Sequence, residues 1–176
     1  MKTLAMRLLI PAAALTLTLA VQLPGKSKKD AILQPQMNPE GGFAKAMGKL
    51  GDSSAEPWSA TTMGASVNSK PNMPAKVTTV TGEIVDFSCY LQVGKHGEKH
   101  RDCAQKCFRN GQPVGLMTSD GTLYMVMEEE HDPRRDGMGI FRQAAIDHAG
   151  HVMEVTGTQS TWNGFNALYV KGFLKK

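Results

Sequence analysis

No hydrophobic run in this chain of 176 residues reaches the roughly 20 needed to cross a bilayer, because the apolar stretch ending at Leu23 is interrupted by Pro11, Thr16, Thr18 and Gln22. Motifs of the common enzymes are also missing: there is no G-x-S-x-G, P-loop, H-E-x-x-H or dinucleotide fingerprint. A binding or structural module is therefore favoured over an enzyme. Aromatic residues make up only 6% of the chain, and those on strand candidates, such as Phe87, Tyr124 and Tyr169, are too interleaved to form a base-stacking face. Charge of one sign is lacking where it would matter. Residues 76–176 hold 12 Lys/Arg against 12 Asp/Glu, and the net charge of +4 comes from residues 1–75, which hold 8 against 4. A neutral domain has no electrostatic footprint for a phosphate backbone, so a nucleic-acid partner is not expected. Cysteine is scarce and odd in number, at three.

What is present divides into three parts. Residues 1–20 carry Lys2 and Arg7, an apolar stretch from Leu8 to Leu19, and small residues at Thr18 and Ala20. They read as a secretory signal peptide, with retention as an anchor the alternative. Cleavage would leave no transmembrane span and would place the chain in the periplasm or outside the cell, where thiols meet an oxidising environment. Residues 21–75 hold six Pro, six Gly and six Ser. Such a segment buries too little to offset its ordering entropy and reads as a flexible arm able to dock a protein partner. Phe43, Met47 and Leu50 have the spacing of two amphipathic turns, interrupted by glycines. Residues 76–176 are long enough for one core.

Within that domain, Thr78 to Leu91 reads as one long strand whose apolar phase shifts near Gly82, as in a bent strand. Val114–Met117 and Thr122–Met127 are joined by a turn ending in Asp120-Gly121, and Val152–Gln159 and Phe165–Val170 by Trp162-Asn163-Gly164. Five strands with one helix after the first predict a mainly β fold, a small coiled barrel rather than a sandwich. The helix is expected over Lys99–Arg109, where His100, Cys103, Ala104, Cys107 and Phe108 share one face. Asn110-Gly111 and Pro113 stop it. With Cys89 pointing inward from the strand, Cys89, His100, Cys103 and Cys107 form a cluster.

Three readings of the cluster stand side by side. A disulfide from Cys89 to Cys103 or Cys107 would contribute about 3 kcal/mol and leave one free thiol. A Cys3His metal site would suit zinc, and its thiolates would suit Cu(I). In this reading His96 is a substitute for His100 from the loop, and Asp86 or His96 an outer-sphere partner. A thiol-redox role would draw on the local excess of charge between Lys95 and Arg109, five Lys/Arg against Glu98 and Asp102, which should lower a thiol pKa. Other features carry less. Glu128-Glu129-Glu130-His131-Asp132 reads as a solvated loop balanced by Arg134 and Arg135 rather than a hard-cation site. His148 and His151 read as surface residues, and Met117, Met125 and Met127 as core.

The stretches Thr81-Gly82-Glu83-Ile84-Val85-Asp86-Phe87-Ser88-Cys89-Tyr90, His100-Arg101-Asp102-Cys103-Ala104-Gln105-Lys106-Cys107, Gly111 to Leu116, Asp120 to Tyr124 and Val155-Thr156-Gly157 resemble a group of small exported bacterial proteins with OB-fold-like domains. That group shares the pattern G-x-[IV]-x-D-x-x-C, H-x-x-C-x-x-x-C, D-G-x-x-Y and V-T-G. The resemblance covers residues 78–172. It implies an OB-like barrel and a periplasmic or extracellular setting, and it singles out Asp86, Cys89, His100, Cys103 and Cys107 without supplying a reaction. A further expectation is an accessory subunit of a membrane or respiratory assembly, docked through residues 21–75.

Overall fold

A computed structural model describes residues 37–51, 56–129 and 137–171. The signal-peptide reading, residues 21–36 and Glu130 to Asp136 lie outside the described residues. In chain order the elements are β1 (Lys49–Leu50), α1 (Ala60–Ala65), β2 (Lys76–Asp86), α2 (Phe87–Val93), α3 (Arg101–Arg109), β3 (Val114–Met117), β4 (Leu123–Glu128), α4 (Ile140–Asp147), β5 (Val152–Trp162) and β6 (Phe165–Val170).

β2 changes partner partway along. Lys76 to Glu83 pair antiparallel with β5, and Glu83 to Asp86 pair antiparallel with β3. The switch falls beside Gly82, where a Cβ atom would lie 2.8 Å from both Leu116 Cγ and the Met117 carbonyl oxygen. Only glycine lets the strand coil this closely over its neighbour. β3 pairs antiparallel with β4, β4 parallel with β6, and β6 antiparallel with β5, so five strands close into a small OB-like barrel. The last hairpin turns at Asn163 and Gly164, both with positive φ, which sets a two-residue loop compatible with strand twist. Alternate residues line the interior: Val80 and Ile84, Val114 and Leu116, Val126, Met153 and Val155, Leu168 and Val170. Phe108 from α3 and Phe141, Ala145 and Ile146 from α4 complete one core. Burial of each large apolar side chain there contributes about 1.5–3 kcal/mol.

The fold departs from the sequence expectations in three places. The strand read from Thr78 to Leu91 ends at Asp86, and Cys89 lies on a helix rather than a strand. Asp86 is the cause: its carboxylate accepts a hydrogen bond from the Cys89 N–H at 3.0 Å and caps α2. Leu91, the end of the expected strand, and Val93 beyond it are left exposed. Secondly, α4 was not foreseen, and the helix expected from Lys99 begins as a 3-10 turn, Glu98–His100, before α3.

The third departure concerns the flexible arm. Its described residues belong to the same compact unit as the barrel. β6 covers β5 only from Thr158 onward, leaving the edge before it open. β1 fills that edge in parallel, Lys49 opposite Glu154 and Leu50 opposite Val155. Backbone bonds from Met47 N–H to the Val152 carbonyl (2.8 Å) and from Val152 N–H to the Glu40 carbonyl (2.9 Å) extend the match. Unpaired strand edges attract pairing, and this one is satisfied within the chain. Phe43, Met47 and Leu50 consequently form no helix; a tight turn joins Gly42 to Lys45 instead. Further along, Ser160 donates to the Pro74 carbonyl at 3.0 Å, and Trp58 packs edge-on against Tyr169.

Candidate metal centre

The site gathers where β2 ends and two helices begin. Asp86, at the C-terminal end of β2, is 1% exposed. Its role as cap of α2 sets Cys89 one turn away, on the same side as the carboxylate. His100 ends the 3-10 turn that leads into α3 and is 5% exposed. Ligand atoms of Asp86, Cys89 and His100 all lie within 4.8 Å of one another. Tetrahedral bonds of 2.0–2.3 Å would set such atoms roughly 3.3–3.8 Å apart, so a small contraction brings the three onto one ion. The Nε2 atom of His100 is buried with no hydrogen-bond partner. Buried imidazole nitrogens are normally satisfied, so this one calls for a partner.

Cys107 joins from α3. The neighbouring Asp86 carboxylate, with burial and Cys103 adding to it, pushes its thiol up to about 12. Cys89 is pushed up as well, by burial first and then by the charges of Asp86 and Cys103, with Lys95 opposing. This reverses the sequence expectation that the surrounding Lys and Arg residues would lower a thiol pKa. The side chain facing the thiols is a buried carboxylate, while most of the basic residues point outward from α3. Burial lowers the pKa of His100, partly offset by Asp86, so its imidazole is held neutral, the form that binds metal. All three cysteines are free thiols: Cys103 is exposed, Cys89 and Cys107 half-buried.

Of the ligands read from the sequence, Cys89 and His100 converge, whereas Cys103 and Cys107 stand outside the group of three: Cys107 lies beside Asp86 and Cys103, and Cys103 is exposed. Asp86 stands inside the cluster rather than behind it. The spacing D-x-x-C was the available signal, since an Asp three residues before a helical N–H is a cap and holds its carboxylate beside that residue. His96 is not in the cluster. Its Nδ1 is 2.8 Å from Glu83 Oε2, and Glu83 Oε1 accepts the Gly97 N–H at 2.6 Å. Glu83 is fully buried, and the resulting desolvation raises its pKa against the opposing bonds from Gly97 and His96. This buried carboxylate ties the 94–97 loop to the barrel and was missed in the sequence.

A second polar group lies at the N-terminal end of α3, next to His100 in the chain. Arg101 hydrogen-bonds to Glu40 and to the Ala149 carbonyl, the latter at 2.9 Å. His151 Nε2 is 3.3 Å from the same Glu40 carboxylate, and His148 and His151 meet through their Nδ1 atoms at 3.2 Å. The two histidines read as surface residues are thus half-buried, and His151 pairs with Glu40 of the chain's own docked segment. Among the described residues, no helix is long and apolar enough to cross a membrane. No family model matches the chain, and no curated protein or solved structure shows significant similarity to it.

Proposed function

We propose that the chain is an exported binding module, rather than an enzyme, in which Asp86, Cys89, His100 and Cys107 hold one Zn²⁺ ion. The observation that carries this reading is the convergence of Asp86, Cys89 and His100 ligand atoms within 4.8 Å, in a group whose imidazole is buried with its Nε2 unpartnered. Two thiolates, an imidazole and a carboxylate form a borderline donor set that suits zinc, whereas Cu(I) would gain little from Asp86. Four protein ligands leave no open position, so the ion's role is structural: it joins the end of β2 to α2 and α3. Cys89 and Cys107 must lose their protons to bind, so zinc uptake releases protons and tightens as pH rises. Export rests on Lys2, Arg7 and the apolar stretch that follows.

Metal content of protein purified without chelator, paired with thiol alkylation in the native state, tests the proposal. One zinc per chain with only Cys103 reactive is the expected result. Three reactive thiols with no bound metal would overturn it. A second reading, thiol-redox exchange, draws on exposed Cys103 lying beside Cys107. It predicts a Cys103–Cys107 disulfide under mild oxidation, which residues four apart on a helix form only with distortion. The accessory-subunit reading has less behind it, because the described part of the arm is bonded to the barrel of its own chain.

A further inference from the structure

A separate cavity of about 620 Å³, within the range of small-molecule sites, opens between the segment before β2 and strands β4 and β6. Glu129 lines it and is only 3% exposed. One carboxylate oxygen, Oε1, accepts both the backbone N–H of Ser59 at 2.8 Å and its hydroxyl at 3.0 Å. The other, Oε2, is buried and has no partner among the described residues. The main chain of Glu129 is fixed too, its N–H donating to the Val170 carbonyl and its carbonyl accepting from the Thr62 hydroxyl. A carboxylate held this firmly, with one oxygen unsatisfied, calls for a hydrogen-bond donor or a positive charge.

The remaining walls define what carries that charge. Trp58 and Tyr169, ring centroids 5.2 Å apart in an edge-on pair, contribute aromatic surface, and Met73, Met125, Met127 and Phe141 contribute apolar surface. Aromatic faces attract cations, and thioethers adapt to irregular apolar bodies. Anions are disfavoured by the described residues. Glu128 and Glu129 both line the cavity, and among the described residues the single lining cation, Arg142, donates to the carbonyls of Phe108 and Gln112 at 3.1 and 2.9 Å. A metal ion is disfavoured as well, since the only group of metal-ligating side chains found among the described residues is Asp86, Cys89 and His100.

We propose that this cavity binds a small organic ammonium ion with an apolar body, its charge on Glu129 and its body between the Trp58–Tyr169 pair and the methionines. The inference does not depend on the zinc reading. The test uses the full chain carrying Trp162→Phe, so that fluorescence reports Trp58 alone. Benzylammonium and benzyltrimethylammonium are titrated beside benzyl alcohol and phenylacetate. Saturable changes with the ammonium ions are expected, with the alcohol at least about tenfold weaker and phenylacetate weaker still. Glu129→Gln should lower ammonium affinity about tenfold and leave the alcohol unchanged. Should that variant fail to fold, amide shift mapping on the unaltered chain takes its place, with shifts expected at 58–62, 125–129 and 169. Equal binding of ammonium and alcohol, no saturation by either ammonium, or shifts centred elsewhere would each overturn the proposal.

Discussion

Asp86 does two jobs with one carboxylate, capping α2 through Oδ1 and raising the pKa of the neighbouring Cys107 thiol. Cys107→Ser should therefore weaken zinc binding at least about a hundredfold, whereas Cys103→Ser, at the rim, should weaken it less than about tenfold. Competition with a chromophoric chelator measures both. The thiols also set a pH dependence for the metal-free protein. Cys89 and Cys107 are raised above their ordinary value of 9.0, Cys107 to about 12. Groups that hold protons more tightly when folded contribute stability that is whole below pH 9 and is lost as pH rises from 9 towards about 12. Denaturation midpoints should fall across that window without zinc. With zinc bound they should change much less, because the thiolates are then already deprotonated.

At the scale of elements, the hairpins were legible because their signals are local. Asp120-Gly121 and Asn163-Gly164 turn where expected, and Val114–Met117 and Phe165–Val170 are strands over the expected residues. The transition at Asp86 was hidden because Phe87, Tyr90, Leu91 and Val93 have strand propensity, and one side-chain cap outweighs them. The 3.6-residue period of α3 made the burial of Ala104 and Phe108 visible, Phe108 being fully enclosed, but it set Cys103 on the same inward face and Cys103 is exposed. Phe108→Ala should cost about 3–5 kcal/mol in denaturant unfolding, since α3 cannot collapse onto the barrel without it. Gly82→Ala should cost about 1–3 kcal/mol for the opposite reason, a Cβ forced against Leu116 and the Met117 carbonyl. If Gly82→Ala were neutral, the close crossing of β2 over β3 would be in doubt.

For the molecule as a whole, the docked segment before β2 was the least legible part, because its attachment is by backbone rather than by an apolar pattern. Composition rich in Pro, Gly and Ser identifies a chain unable to fold alone, but it is silent on whether an open strand edge elsewhere will accept it. A chain begun at residue 76 should lose more than about 3 kcal/mol against one begun at residue 37, given the five backbone bonds that link Asn38, Glu40, Met47 and Gly48 to the barrel. Equal unfolding midpoints for the two would contradict that assignment. The central claim, that β2, α2 and α3 meet at one closed metal site, is tested most directly by titrating the metal-free, reduced protein with Co²⁺ and reading its visible and near-ultraviolet absorption. The account predicts saturation at one ion per chain, with tetrahedral ligand-field bands and thiolate charge-transfer intensity for two sulfurs, displaced by Zn²⁺ and lost in His100→Ala. A spectrum of hydrated octahedral Co²⁺, with no sulfur charge transfer, would contradict it.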